Sequence, residues 1–321
     1  MNEPNALVSP SYCLDSRDVL DLTREFGPYS GRYVYQYPTN WLQLLKEHIE
    51  QLQPIEQEKI KRLIKLGIET ALLDVKAAYQ EQIPWERNVR EIKRFEHVPI
   101  IVGSAIDPMG FKAWEQALQE ICDTRRRSWH IGGSWTEYLN AIEPLLTKSP
   151  ACYLVDRHFN PLDNDSASFL ISLLDRASRS SCYEVHLITR YKAIVENGVI
   201  TKGIAHSKIE NDLQALYRDT IPRSRKLICH FVEEDREGGK FLRMHNRYFL
   251  TVHGAIDFGK GFKLLTQAHK QILVHIVDKP AHEDLKSTYI TGVARHCERL
   301  PIKETVLRPK HVDSVVIASN D

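Results

Sequence analysis

Apolar residues recur at helical spacing through the first part of the chain and at strand-like alternation through the rest. Trp41, Leu44, Leu45, Ile49 and Leu52 fall on one side of a helix that Thr39 is placed to cap. Pro54 starts a second helix. In it Ile60, Leu63, Ile64, Ile68, Ala71 and Leu72 keep the same period, out to about Gln80, while Glu and Lys fill the opposite side. A third follows Pro84 through Trp85, Val89 and Ile92, and Phe111 to Cys122 returns to helix. Val98 to Val102 predicts a short strand or buried turn. The first thirty residues, rich in Pro, Ser, Asp and Gly, predict an irregular arm docked through Tyr33, Tyr35 and Tyr37. Residues 1–130 are therefore expected to form a mainly helical N-terminal domain that recruits a partner or nucleic acid.

The break Gly132-Gly133-Ser134 marks the expected boundary, and residues 131–321 change rhythm. A helix from Trp135 to Leu146 leads to the strand Ala151 to Val155, ended by Asp156. A helix from Ser166 to Ala177, a strand from Tyr183 to Thr189, a helix from Ser207 to Tyr217 and a strand from Leu227 to Val232 follow. Tyr248-Phe249-Leu250 and Ala255 to Phe258 read as a hairpin, and Ile272 to Val277 as another strand. Ala281 to Cys297 predicts helix and Val312 to Ile317 an edge strand. Such alternation argues for an α/β domain, a mixed sheet flanked by helices.

Composition narrows the classes without choosing among them. The 321 residues exceed one typical domain, and 42% hydrophobic with 26% charged residues is ordinary globular protein. A net charge of +1 excludes a uniformly basic, histone-like binder and leaves nucleic-acid contact to a local patch. Arg125-Arg126-Arg127, beside Trp129 and His130, is the densest positive run, open to reading as a solvated linker face or as a contact to a phosphate backbone. The six cysteines are scattered with no C-x-x-C pair, which predicts buried free thiols in a reducing, cytoplasmic setting. No apolar run reaches the length of a membrane span, and Met1 to Pro10 lacks the features of a secretory leader.

Candidate chemistry gathers between Gly238 and Leu264. On a strand, the spacing of His245 and Arg247 sets imidazole and guanidinium side by side on one face, a pair suited to phosphate. Gly254 to Lys260 fits the opening of a phosphate-binding loop, but Gly261 stands where Ser or Thr is needed, and Ala255, Ile256 and Phe258 alternate as a strand does. Gly259 and Lys260 are thus read as a turn beside the pair. His158, His186, His245 and His253 lie in or near predicted strands, yet no H-x-x-x-H or C-x-x-C spacing supports a metal, and no cofactor is expected.

His245-x-Arg247, with Gly259 twelve residues after Arg247, resembles the phospholipase D superfamily signature H-x-K-x4-D-x6-G-S. Val252 occupies the carboxylate position and Lys260 the serine position. The resemblance covers Ser134 to about Val277 and implies a phospholipase D-like α/β fold. It implies His245 as nucleophile forming a phosphohistidine, Arg247 in the lysine's place as a bidentate phosphate donor, and His186 as the second site histidine. Arg247, Gly259 and Lys260 would bind phosphate. A single motif further implies a homodimer that brings two histidines to one site. Two functions follow from the resemblance. One is a metal-independent phosphodiesterase or nuclease acting on DNA or RNA, in a prokaryotic antiviral defence or mobile-element system. The other is a noncatalytic module that binds phosphate or nucleic acid through a degenerate form of the fold.

Overall fold

The computed structural model describes residues 6–10, 15–75, 77–91, 100–102, 119, 128–190, 206–217, 225–232, 247–259, 262, 271–291 and 302–307. They divide between two compact units, Met1–Trp129 and His130–Asp321.

Three-residue strands build the sheet of the first unit. β1 (Ala6–Val8), β2 (Val34–Gln36), β3 (Leu72–Asp74) and β4 (Ile100–Val102) lie in the order β3-β2-β1-β4. Every pairing is parallel, with Ala6 opposite both Val34 and Ile100, and Val34 opposite Leu72. Helices α1 (Ser16–Glu25), α2 (Trp41–Ile49), α3 (Pro54–Leu63) and α4 (Trp85–Glu91) complete the described unit. Alternation along β1 sorts the two cores. Ala6 and Val8 pack with Val19, Leu22, Trp41, Leu45 and Ile60 of α1 to α3, whereas Leu7 packs with Tyr37, Val75, Trp85 and Val89. Each tryptophan also hydrogen-bonds the sheet region it covers: Trp41 Nε1 donates to the Val8 carbonyl at 2.7 Å and Trp85 Nε1 to that of Tyr37 at 2.8 Å.

The first unit adds a parallel sheet to the helices expected of the N-terminal domain. The helices of Trp41 and Pro54 are present, but a parallel sheet runs between helical layers. Three residues are too few to display alternation. β1 falls in the stretch expected to be an irregular arm, together with α1, which Asp15 and Asp18 close with a reciprocal capping box. β3 continues the apolar run of the second helix after a wide, π-type turn at Ile64–Ile68, so periodicity alone reads through it. The helix expected over Phe111 to Cys122 lies outside the described residues.

The second unit is organised on an eight-stranded sheet in the order β12-β8-β7-β6-β9-β10-β11-β5. Its centre is parallel: β6 (Ala151–Val155), β7 (Glu184–Arg190) and β8 (Lys226–Val232). The hairpin β9 (Tyr248–Leu250) and β10 (Ala255–Asp257) joins β6 antiparallel, and β11 (Ile272–Ile276) continues it. β5 (Ser128–Ile131) ends one edge, and β12 (Ile302–Leu307) pairs antiparallel with β8 at the other. The edge strand expected over Val312 to Ile317 lies outside the described residues. Helices α5 (Trp135–Lys148), α6 (Asn164–Ser178), α7 (His206–Tyr217) and α8 (Lys279–Leu285) accompany the sheet. The unit is α/β with a mixed sheet. Gly132-Gly133-Ser134 caps α5: the Glu137 carboxylate accepts the Gly132 N–H at 2.9 Å and the Ser134 N–H at 3.2 Å. A Cβ on Gly132 would come within 2.9 Å of that carboxylate.

Among the described residues, two packed groups position the hairpin. Val155, Ile188, Leu250 and Ala255 pack on one face with Tyr289, Tyr153 and Leu285. An aromatic cluster holds the turn after β10: Tyr138 of α5 lies 5.3 Å from Phe258 and Phe169 of α6 lies 5.2 Å from Phe262, ring centre to ring centre. Phe258 and Phe262 flank Gly259, whose φ of +48° places it in the left-handed region that glycine adopts without strain.

Candidate phosphate-binding site

Strand directions bring four separated segments to one end of the second sheet. β6 and β7 are parallel neighbours, so Asp156 just past β6 and Arg190 at the end of β7 leave the sheet together. β9 runs the other way with Tyr248 opposite Val155, which delivers Arg247 to the same end. The carboxyl ends of parallel strands are where open α/β sheets receive ligands. Asp156 is only 4% exposed and Arg190 only 8%.

Asp156 holds the site together. Its Oδ1 accepts the backbone N–H of His158 at 2.9 Å and faces Arg247 Nε at 3.5 Å. The Asp156 N–H donates to the Ile188 carbonyl, and Phe159 N–H donates back to the Asp156 carbonyl, making a tight turn through Arg157 and His158. Thr189 Oγ1 donates to the Phe159 carbonyl at 2.7 Å and ties that turn to β7. Arg247 Nη1 donates to the Gly259 carbonyl at 2.7 Å, while the Gly259 N–H donates to Asp257 Oδ1 at 2.7 Å. The aromatic lock on Gly259 thereby orients the guanidinium.

Burial holds the His158 imidazole below its usual range, and the charges of Arg157, Arg247 and Arg190 act in the same sense against Asp156 alone. The neutral form of the ring is therefore favoured, and the charges of three guanidiniums contribute to that. Such a constellation suits an oxyanion that accepts several charge-assisted hydrogen bonds.

The structure brings Arg247 and Gly259 together, as donor and acceptor. His245 and Lys260 lie outside the described residues, as do Arg125, Arg126 and Arg127. Val252 is exposed in the turn at the far end of β9 from Arg247. Asp156 is the carboxylate that meets Arg247, from a strand distant in sequence. In the sequence Arg157 and Arg190 belong to no motif, and Asp156 marks only the end of a strand. Their available signal was a position at the carboxyl ends of two consecutive parallel strands.

His186 has a different neighbourhood. It stands opposite Tyr153 in register, and its ring stacks on that tyrosine at 4.3 Å. Its Nδ1 shares a 3.0 Å hydrogen bond with His230 Nε2, and its Nε2 lies 3.5 Å from Glu184. By alternation from Ile188, His186 shares the face of Tyr248, whereas Arg247, one residue earlier, belongs to the opposite side. Burial lowers the pKa of both histidines, His230 to about 3, with His186 adding to the effect on His230.

Because the folded imidazoles bind protons less readily than the unfolded ones, stability is full above the unfolded value near pH 6.5 and is lost as pH falls below it. Between pH 6.5 and 5, before carboxylates titrate, each imidazole kept neutral by the fold costs up to about 1.4 kcal/mol per pH unit. Urea midpoints across this interval are expected to fall in the native protein and to fall less steeply in His230→Gln. An unchanged slope in that variant would remove the histidine pair as the cause.

Among the described residues no three His, Cys, Asp or Glu side chains are grouped to hold a metal ion, and no helix is long and apolar enough to cross a membrane. No family model matches the chain, and no curated protein matches it. Among solved structures it is similar to TrmBL2, an archaeal chromatin protein that shows a novel mode of DNA binding. The likeness is 10% identity and a TM-score of 0.26 over 56% of this chain and 59% of that one, and at this level it assigns neither fold nor function.

Proposed function

We propose that the second unit binds phosphate, in the backbone of a nucleic acid, through Arg157, Arg190 and Arg247. The observation that carries this is the placement of Arg157, Arg190 and Arg247 at the carboxyl end of β6 and β7, where Asp156 faces Arg247 at 3.5 Å. Phosphate contacts of this kind supply affinity without sequence preference. Parallel central strands with an antiparallel hairpin that carries Arg247 support a phospholipase D-like reading of the unit.

Arg247→Ala is expected to weaken binding of a single-stranded oligonucleotide about tenfold at moderate salt, and to reduce the slope of log affinity against log salt by about one. Fluorescence anisotropy titrations at several salt concentrations measure both. Native-like affinity and slope in the variant would sink the proposal.

A second reading, cleavage of the bound phosphodiester through a phosphohistidine, is favoured by the neutral His158 ring beside the arginines, since attack on phosphorus requires an unprotonated nitrogen. His245 is the other nucleophile candidate, from the family pattern. Hydrolysis that persists in EDTA and disappears in His158→Ala or His245→Ala separates the two histidines. Absence of product in the native protein leaves binding as the function.

A further inference from the structure

We propose that the first unit holds a small organic anion, one with a single negative head group and an apolar body, in the groove between α2 and the end of α3. The inference concerns the other unit from the arginine cluster and does not rest on the phosphate-binding reading.

A repeated sequence pattern builds the groove. Lys46 and Ile49 of α2, with Glu50 after it, follow the i, i+3, i+4 spacing that places side chains on one helical face, and Lys61, Ile64 and Lys65 repeat it where α3 runs into the π-type turn Ile64–Ile68. Wide turns of this kind are frequent at functional sites. The two triplets, together with Glu69 just past the turn, line a cavity of about 390 Å³, within the range of small-ligand sites. Ile49 and Ile64 are buried and belong to one core, so they make an apolar floor, whereas the three lysines and two glutamates are exposed around it.

Charge selects the guest. Among the described residues none of Lys46, Lys61 and Lys65 is paired with a carboxylate, although Lys59, which does not line the cavity, is held by Glu56 at 2.7 Å. Ammonium groups are point charges and take a carboxylate, sulfonate or phosphate head without a fixed geometry. Three of the five charged groups lining the cavity are positive and two are negative, which suits one anionic head and disfavours a ligand charged along its length. The isoleucine floor receives the apolar body. The groove is set before anything binds, because Gln57 Nε2 donates to the Glu50 carbonyl at 3.1 Å and to the Leu52 carbonyl at 2.9 Å and so braces the link between the two helices.

The test uses the full chain and anilinonaphthalene sulfonate, a fluorescent probe with one sulfonate on an aromatic body. Saturable enhancement of its emission is expected. Octanoate should displace the probe, and octanol, its uncharged counterpart, should do so at least about tenfold less effectively. Lys61→Gln/Lys65→Gln, at two exposed positions, is expected to weaken probe and octanoate about tenfold, and Lys46→Gln, from the opposite wall, about threefold. Lys59→Gln/Arg62→Gln removes the same charge from the same helix outside the cavity and should leave both affinities unchanged. Equal weakening by the two double variants overturns the inference, since attraction to general positive charge then accounts for binding. Equal displacement by octanol and octanoate also overturns it, as an apolar cleft without choice of anion. Displacement by polyglutamate at lower concentration than by octanoate identifies a groove for acidic polypeptide and overturns the small-ligand assignment, as does the absence of saturable enhancement.

Discussion

Asp156→Ala is expected to lower the stability of the second unit by about 3–5 kcal/mol, the range found when one partner of a buried ion pair is removed. Two losses combine. The Arg247 guanidinium, 3.5 Å from Oδ1, keeps its charge without the carboxylate, beside Arg157 and Arg190. The His158 N–H, which donates to the same oxygen at 2.9 Å, is left without that acceptor, a further cost of about 1–3 kcal/mol if water does not replace it. The same substitution is expected to tighten phosphate binding, because the group that opposes an anion is gone. Asp156→Asn separates the effects, since an amide oxygen still accepts the N–H while the charge is lost. Denaturation midpoints and inorganic-phosphate titrations on both variants make the check. A stable Asp156→Ala protein with unchanged phosphate affinity would contradict the assigned role of this carboxylate.

Trp41→Ala is expected to cost the first unit about 3–5 kcal/mol, as for other large aromatic truncations in a packed core. Trp41 is fully buried at the start of α2, against Val8 and Leu45, and its indole N–H reaches the Val8 carbonyl at 2.7 Å. Alanine removes the ring from the layer between β1 and the helices and takes the donor from that carbonyl. Trp41→Phe retains much of the apolar volume and loses the hydrogen bond, for a smaller penalty of about 1–2 kcal/mol. Peptide-resolved hydrogen exchange reads the effect in the first unit separately from the second. Protection in peptides of β1 and α2 should fall in Trp41→Ala by a larger factor than in Trp41→Phe; equal protection in both would show that the ring's packing is not what holds the layer.

The second unit was more legible from sequence than the first, and strand length is the reason. β6, β7 and β8 run for five to seven residues and are separated by helices with a clear apolar stripe, so the change of period is visible. β1, β2 and β3 are three residues each. Val34 lies in a tyrosine-rich stretch and Leu72 at the end of a helical run, where tertiary pairing and not local pattern decides the conformation. At the site, Arg247 and Gly259 stood out because they are close in sequence and share a hairpin. Asp156, Arg157 and Arg190 did not, because their meeting with Arg247 depends on which strands are neighbours, and strand order is not written in periodicity. The neighbourhood of His186 was hidden for the same reason: its partner His230 belongs to the next strand, diagonal to it across a register that only the folded sheet defines.

The pairing of β9 with β6 has a consequence for biosynthesis. Between them in sequence come α6, β7, α7 and β8, so Arg247 leaves the ribosome long after Asp156, and the hairpin must return to the outer side of a strand laid down much earlier. A nascent chain holding only β6 to β8 has Arg157 and Arg190 but neither the guanidinium that Asp156 faces nor the glycine turn that steadies it. The proposed anion site is therefore completed late, as a property of the finished unit, and an anion bound there would stabilise the completed sheet over every shorter intermediate.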